Sequence, residues 1–384
     1  MITLKPYILI AVIAVLIGAI YLLNSNSVKR VGSDEVITII PRVASLPNDT
    51  APSSIPNSTT SSPFAKVKKD IMPGKFLSAE VKSKRYELAK EITTPDGFIN
   101  TDSKSITVNE LVGKKVILID FWTYSCINCQ RTTPYLNAWY EKYKDNGFVI
   151  IGVHTPEFEF EKDYNNVKIA VEKFGIKFPV ALDNDFSTWN AYKNRYWPRK
   201  YLIDIDGYIV YDHIGEGGYE ETEKKIQEAL AERVAVLGGD GTIQQTLTKE
   251  IPVQGGSRSP ETYFGSARND QQKNLLFPNE SWIIAPEFAQ NTIANAGIVY
   301  AYTAKDVFFV AEADTETIVE VSLDGKPLGN EAGGDITKTS DGKTIVKIKE
   351  ARLYKIIQGN KSETHTLKFI IQKAGLKAFT FTFG

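Results

Sequence analysis

Cys126 and Cys129 are the only cysteines in the 384-residue chain, and Ile127 and Asn128 separate them. A thiol pair at this spacing can pass electrons. One thiolate attacks a disulfide, a mixed disulfide forms, and the second thiol resolves it. Two other uses of the pair carry less weight. A structural zinc site takes four ligands, and only His154, His213 and His365 could join the cysteines, none of them in a paired histidine motif. A disulfide across so short a loop holds almost nothing together, because its stabilisation grows with loop length. No metal is expected, and no cofactor beyond the cysteine pair.

The pair must be positioned by what surrounds it. Residues 116–122 (VILIDFW) and 148–153 (FVIIGV) read as parallel strands buried on both faces. Between them, Leu136, Trp139, Tyr140 and Tyr143 recur at helical spacing, so the cysteine turn opens a helix. Free N–H groups and a partial positive charge at that helix start favour the thiolate of Cys126, and Cys129 lies one turn up. Asp120 is the only charge in the first strand. Burial would raise its pKa and let it take the proton of Cys129 during resolution; a strand-end Asp open to water is the alternative. Pro134 falls inside the helix. Most X–Pro bonds are trans, so Pro198 on its own reads as an ordinary loop proline. A cis bond at Trp197-Pro198 would instead expose the backbone of Trp197 beside the cysteines, where an extended substrate can pair as an added strand.

Residues 201–205 and 208–212 form a hairpin about Asp206-Gly207, and residues 220–237 an amphipathic helix. His154 ends the second strand, at the sheet edge where α/β sites gather. It can stand near Cys126 and tune the thiolate, with Glu157 just beyond, or serve as a hydrogen-bonded structural histidine. Thr123 and Cys126 also read as T-x-x-C, a peroxidatic pattern, but Ile119 stands where such sites carry a proline.

The α/β domain spans 86–237, a linker 238–259, and an all-β sandwich 260–384. The sandwich is read from short apolar runs at 307–311, 318–323, 344–348, 353–357, 367–371 and 378–383, punctuated by Asp324-Gly325, Asp341-Gly342 and Gly359-Asn360. Residues 7–23 are apolar and uncharged, about 26 Å long as a helix, which is enough for a single transmembrane anchor at 1–24. Residues 25–85 read as a tether, with a Ser/Thr/Pro-rich core at 43–63. The folded domains are therefore expected outside the cytoplasm. With 45 basic and 46 acidic residues there is no global field for nucleic acid.

The segment VILIDFWTYSCINC, Pro134 and Trp197-Pro198 together resemble the thioredoxin superfamily. FWTYSCINCQRTTPYL, VIIGVHTPEFEFE, TWNAYKNRYWPRKYLIDIDG, HIGEGGYEETEKKI, SPETYFGSAR and AFTFTFG are similar to TlpA-like and ResA-like reductases, and closest to the C-terminal portion of DipZ-type cytochrome c biogenesis proteins. The resemblance covers roughly residues 86–384. It implies a thioredoxin-like domain followed by a β-sandwich similar to carbohydrate-binding modules. It also implies catalysis by Cys126, Cys129 and Asp120, with substrate held near Trp197, Pro198, Trp122 and Tyr124. Oxidised exported proteins such as apocytochrome c are the implied substrates. DipZ-type proteins carry a CcdA-like electron-transfer domain where this chain has an anchor and tether, so a separate membrane thiol reductant is expected as electron donor.

The uncharged Ile127-Asn128 pair leans the reading towards a reductase, with oxidase or isomerase as the alternative. The rival class is a glycan- or partner-binding protein. There Tyr263, Phe264, Trp282, Tyr300 and Tyr302 would line a sugar face, although core packing serves them at least as well.

Overall fold

The computed structural model describes residues 76–102, 104–238, 243–249, 258–268 and 272–384. The expected anchor and most of the tether lie outside these residues. No helix among the described residues is long and apolar enough to cross a membrane.

The first domain runs α1 (Ala79–Arg85), β1 (Gly97–Ile99), α2 (Val108–Leu111), β2 (Val116–Trp122), α3 (Ile127–Tyr143), β3 (Phe148–His154), α4 (Tyr164–Lys173), β4 (Val180–Leu182), α5 (Ser187–Ala191), β5 (Arg199–Ile203), β6 (Ile209–Ile214) and α6 (Tyr219–Leu237). Its sheet has the order β1-β4-β3-β2-β5-β6. All seven residues of β2 are buried, as befits a central strand covered on both faces. It runs parallel to β3 and antiparallel to β5. α3 carries Pro134 within it and buries Leu136, Trp139 and Tyr143 against the sheet. The Tyr135 ring stacks on Tyr219 of α6, with centroids 3.6 Å apart. These contacts fix the start of α3 over the end of β2.

Residues 79–85, read as tether, form α1 and belong to this fold. Lys82 Nζ lies 2.6 Å from Asp204, 2.6 Å from Asp206 and 2.8 Å from Glu232. Burial alone would lower its pKa, but the three carboxylates outweigh that and raise it. Hydropathy does not mark a lysine as buried, which is why the boundary at 85 is too late. Part of the expected linker is docked as well. Ile243 is buried, the Gln244 carbonyl accepts from Tyr143 and Gln227, and Thr248 N–H donates to Glu223.

The second domain is all β: β7 (Thr262–Tyr263), β8 (Leu276–Phe277), β9 (Trp282–Ile284), β10 (Ala289–Asn291), β11 (Ala296–Ala313), β12 (Thr317–Leu323), β13 (Lys326–Pro327), β14 (Ile336–Lys338), β15 (Thr344–Ile348), β16 (Arg352–Ile371) and β17 (Leu376–Phe383). Instead of two sheets, these strands make one hydrogen-bonded sheet of eleven. Ile298 of β11 pairs with Phe369 of β16. Phe309, eleven residues further along β11, would be ~36 Å away on a flat strand, yet its ring lies 5.2 Å from Phe369. The sheet therefore folds back on itself and encloses its own core.

The ladder of β11 and β16 shifts register between Ala304 and Asp306. Gly359 faces that point, where a Cβ would come 2.7 Å from the Lys305 carbonyl oxygen. Gly359-Asn360 is thus a close approach inside one 20-residue strand, not a turn between two. Phe264, Trp282 and Tyr302 are buried, and Tyr263 and Tyr300 are half-buried, so these five form no open stacking face.

The two domains share an apolar contact in which Ile127 and Phe158 pack with Phe308, Val310, Leu353 and Phe379. Ile127, the residue after the first cysteine, is only 5% exposed. Burying such a side chain contributes about 1.5–3 kcal/mol.

Candidate active site

Cys126 is the N-cap of α3, with φ −76° and ψ 118°. Its Sγ accepts the N–H of Cys129 at 3.3 Å, taking one of the donors that a helix start leaves unpaired. Both cysteines are free thiols; Cys126 is half-buried and Cys129 buried. Cys126 Sγ lies 3.9 Å from the carbonyl oxygen of Trp197. The Trp197–Pro198 bond is cis, where the chain-wide preference alone pointed to trans. Tertiary contacts hold the Trp197 ring: it lies 4.3 Å from the Trp189 ring and donates from Nε1 to the Thr155 carbonyl at 2.9 Å.

Burial pushes the Cys129 thiol well above its ordinary pKa, and the neighbouring Cys126 adds to this. Asp120 is also buried. Burial pushes its pKa up to about 7, against the pull of Lys200. The Asp120 Oδ1 has no hydrogen-bond partner among the described residues. Asp120 is the register partner of Lys200 on β5, and Lys200 that of His213 on β6. Paired residues point to the same face of a sheet, so a row of titratable groups runs from beneath the cysteines towards the sheet edge. Lys200 is buried and donates to the Gly215 carbonyl at 3.2 Å. Burial lowers its pKa, while Asp120, Cys129 and Glu216 pull it back up.

Trp122, Tyr124 and Glu157 do not take the roles expected of them, and His154 takes the structural alternative. Trp122 is buried, with its ring edge-on to His154 at 5.0 Å. Tyr124 is covered by the second domain, and its hydroxyl donates to the Ala351 carbonyl at 3.1 Å. Neither presents a face to substrate: Trp122 is packed in the core of its own domain, and the appended domain covers Tyr124. His154 is buried and stacks on Tyr124 at 5.8 Å. Burial pushes its pKa down to about 3, so it is neutral and offers no cation to the Cys126 thiolate. Its Nε2 lies 3.4 Å from the Thr123 hydroxyl. Glu157 pairs with Arg268 and accepts from the Tyr263 hydroxyl at 2.8 Å, which makes it a tie between the domains.

Two buried charges close to the site, Lys200 and Glu161, are not marked by the sequence. Lys200 sits in a basic Arg-Lys pair that looks like a strand end, and only its register with Asp120 marks it. Glu161 lies in PEFEFE, where acids alternate with phenylalanines and no one acid stands out.

Residues 86–246 match the family model described as Redoxin, and residues 278–384 the one described as thioredoxin like C-terminal domain. Protein DipZ of Mycobacterium tuberculosis is 36% identical over 321 residues, covering 76% of this chain and 43% of that protein. The chain thus spans less than half the length of that relative. The thiol-disulfide oxidoreductase YkuV of Bacillus subtilis is 30% identical over 142 residues, 37% of this chain and 93% of YkuV. The thiol-disulfide oxidoreductase ResA of Bacillus cereus is 37% identical over 133 residues, 34% of this chain and 73% of ResA.

Proposed function

Because the chain belongs to the thioredoxin-like thiol–disulfide oxidoreductases, we propose that it works as a membrane-anchored, extracytoplasmic reductase of exported protein disulfides, of the cytochrome c maturation type. The observation that carries this reading is the graded burial of the site. A half-buried Cys126 sits at a helix start and accepts the N–H of Cys129, Cys129 is buried with a raised pKa, and a buried carboxyl with pKa near 7, Asp120, acts on Cys129 through its charge.

The Cys126 thiolate attacks one sulfur of the substrate disulfide. The substrate S–S bond breaks, and one substrate cysteine leaves as a thiolate. Cys129 then gives its proton to Asp120 and attacks Cys126 Sγ. The mixed disulfide breaks and the second substrate cysteine leaves. Two electrons have passed to the substrate, and the protein holds a Cys126–Cys129 disulfide. A carboxyl near pKa 7 suits the transfer, since such a base is both available and strong enough at neutral pH. The carbonyl of Trp197 beside Cys126 gives an extended substrate chain a backbone partner. A separate membrane thiol reductant returns the two electrons.

An oxidised C-x-x-C-H peptide, the form of a haem-attachment site, tests this. The Cys129→Ser chain should accumulate a mixed disulfide with the peptide at Cys126, and the Cys126→Ser chain none. Equal trapping by both variants, or none by either, would contradict the assignment. A C-terminal reporter active only in the cytoplasm would contradict the proposed side of the membrane.

A further inference from the structure

Glu161 is fully buried and is hydrogen-bonded to Ser125, the residue before Cys126. It belongs to a 3-10 turn at Glu159–Lys162. Its Oε1 accepts the Ser125 N–H at 3.1 Å and the Ser125 hydroxyl at 2.7 Å. Its Oε2 accepts the N–H groups of Glu157 at 2.6 Å and Phe158 at 3.1 Å. Four donors around one carboxyl suit the ionised form, because a protonated acid would set its own hydrogen against one of them. Burial, and after it the charge of Glu157, raise its pKa overall; the Ser125 and Thr123 hydroxyls and the Glu157 amide act against that rise and favour the ionised form.

The two sides of this carboxylate lead to different places. Ser125 is the residue immediately before the nucleophile. Glu157 and Phe158 seat the C-terminal domain: Glu157 is held by Tyr263 and Arg268, and the Phe158 ring lies 5.1 Å from Phe379. One buried group therefore joins the cysteine loop to the segment on which the second domain rests.

We propose that Glu161 is a positioning residue for the redox couple, clamping the Cys126 loop to the domain junction and placing a fixed negative charge that makes the Cys126–Cys129 pair a stronger reductant. This deepens the reductase reading and rests on it. A negative charge beside Cys126 disfavours the thiolate of the reduced form. Couples whose reduced form is stabilised are strong oxidants, so destabilising it acts in the opposite sense. The two electrons then pass more readily to a substrate disulfide.

The test is the equilibrium constant of the full chain against reduced and oxidised glutathione, with free thiols trapped at each ratio. Glu161→Gln keeps the size and removes the charge. It should lower the constant for forming the protein disulfide at least tenfold, about 30 mV towards the oxidising side. Glu161→Asp keeps the charge and should stay within threefold of the parent. A purely structural clamp would not sort the two variants by charge. Ser125→Ala removes a donor that favours the ionised carboxylate, so it should lower the constant at least twofold, and it stands as the test if Glu161→Gln does not fold. A Glu161→Gln constant within twofold of the parent, or shifted upwards, overturns the inference, as does an unchanged or raised constant in Ser125→Ala. A parent chain with no reversible couple overturns the reductase reading itself, which is a separate result.

Discussion

Replacing Lys200 by methionine removes the one cation that opposes the desolvation of Asp120. Methionine has similar bulk, so the buried space stays filled. Register partners on adjacent antiparallel strands have Cβ atoms about 5 Å apart. Taking the two charges as ~6 Å apart and an effective dielectric of ~20, their attraction is ~3 kcal/mol, or ~2 pKa units. The carboxyl near 7 in the parent should then titrate at ~9 in the variant. At pH 7.5 the ionised fraction of Asp120 would fall ~20-fold, and resolution by Cys129 with it. Two readouts follow this. The carboxyl stretch in infrared difference spectra, with Asp120→Asn as reference, gives the midpoint directly. Single-turnover reduction of a peptide disulfide by the pre-reduced chain gives the rate, which should recover above pH 9. Lys200→Arg, which keeps the charge, should leave the midpoint near that of the parent. A midpoint that stays near 7 in Lys200→Met would mean that Lys200 is already neutral in the fold, and the electrostatic reasoning would fail.

Other outcomes follow from the same groups. The folded-state pKa of Asp120 is raised, so its stabilisation is complete below pH ~4 and is lost as pH rises through about 7. The loss is on the order of 4 kcal/mol, and the difference in unfolding free energy between the parent and Asp120→Asn, from urea melts, should change by that much across pH 4–8. His154 shifts the other way, with its folded-state pKa lowered to about 3. The His154 contribution should cost on the order of 4 kcal/mol on acidification from pH 6.5 towards 3, as the unfolded chain takes a proton the fold refuses; it is read as the difference between the parent and His154→Gln. Phe379 is buried between the Phe158 and Phe160 rings at the domain junction. Phe379→Ala should destabilise by about 3–5 kcal/mol in denaturant melts; a change under 1 kcal/mol would show that the junction contributes little.

Much of the α/β domain could be read from the sequence because its signals are local. VILIDFW is apolar enough to be a two-face-buried strand wherever it lies, and a cysteine pair directly after it falls at a helix start. The buried setting of Asp120 follows from the same run. What could not be read depends on distant partners. Lys82 and Lys200 are charged residues whose burial is set by carboxylates on other elements. Tyr124 and Ile127 look like surface residues of a cysteine turn until the second domain covers them. Gly359-Asn360 carries a turn signature but serves a bend in a long strand, because Lys305 passes close on β11. His154 ends its strand as the sequence indicates, but its neutral state depends on the aromatic cover that Trp122 and Tyr124 provide.

The reduction potential of the Cys126–Cys129 pair in the intact chain tests the central claim most directly. Equilibration against a dithiothreitol or glutathione series, with trapping of free thiols, is sufficient. The account predicts a value near or below roughly −270 mV, the range of thioredoxin-type reductants. A value near roughly −120 mV would mark a disulfide donor and contradict it.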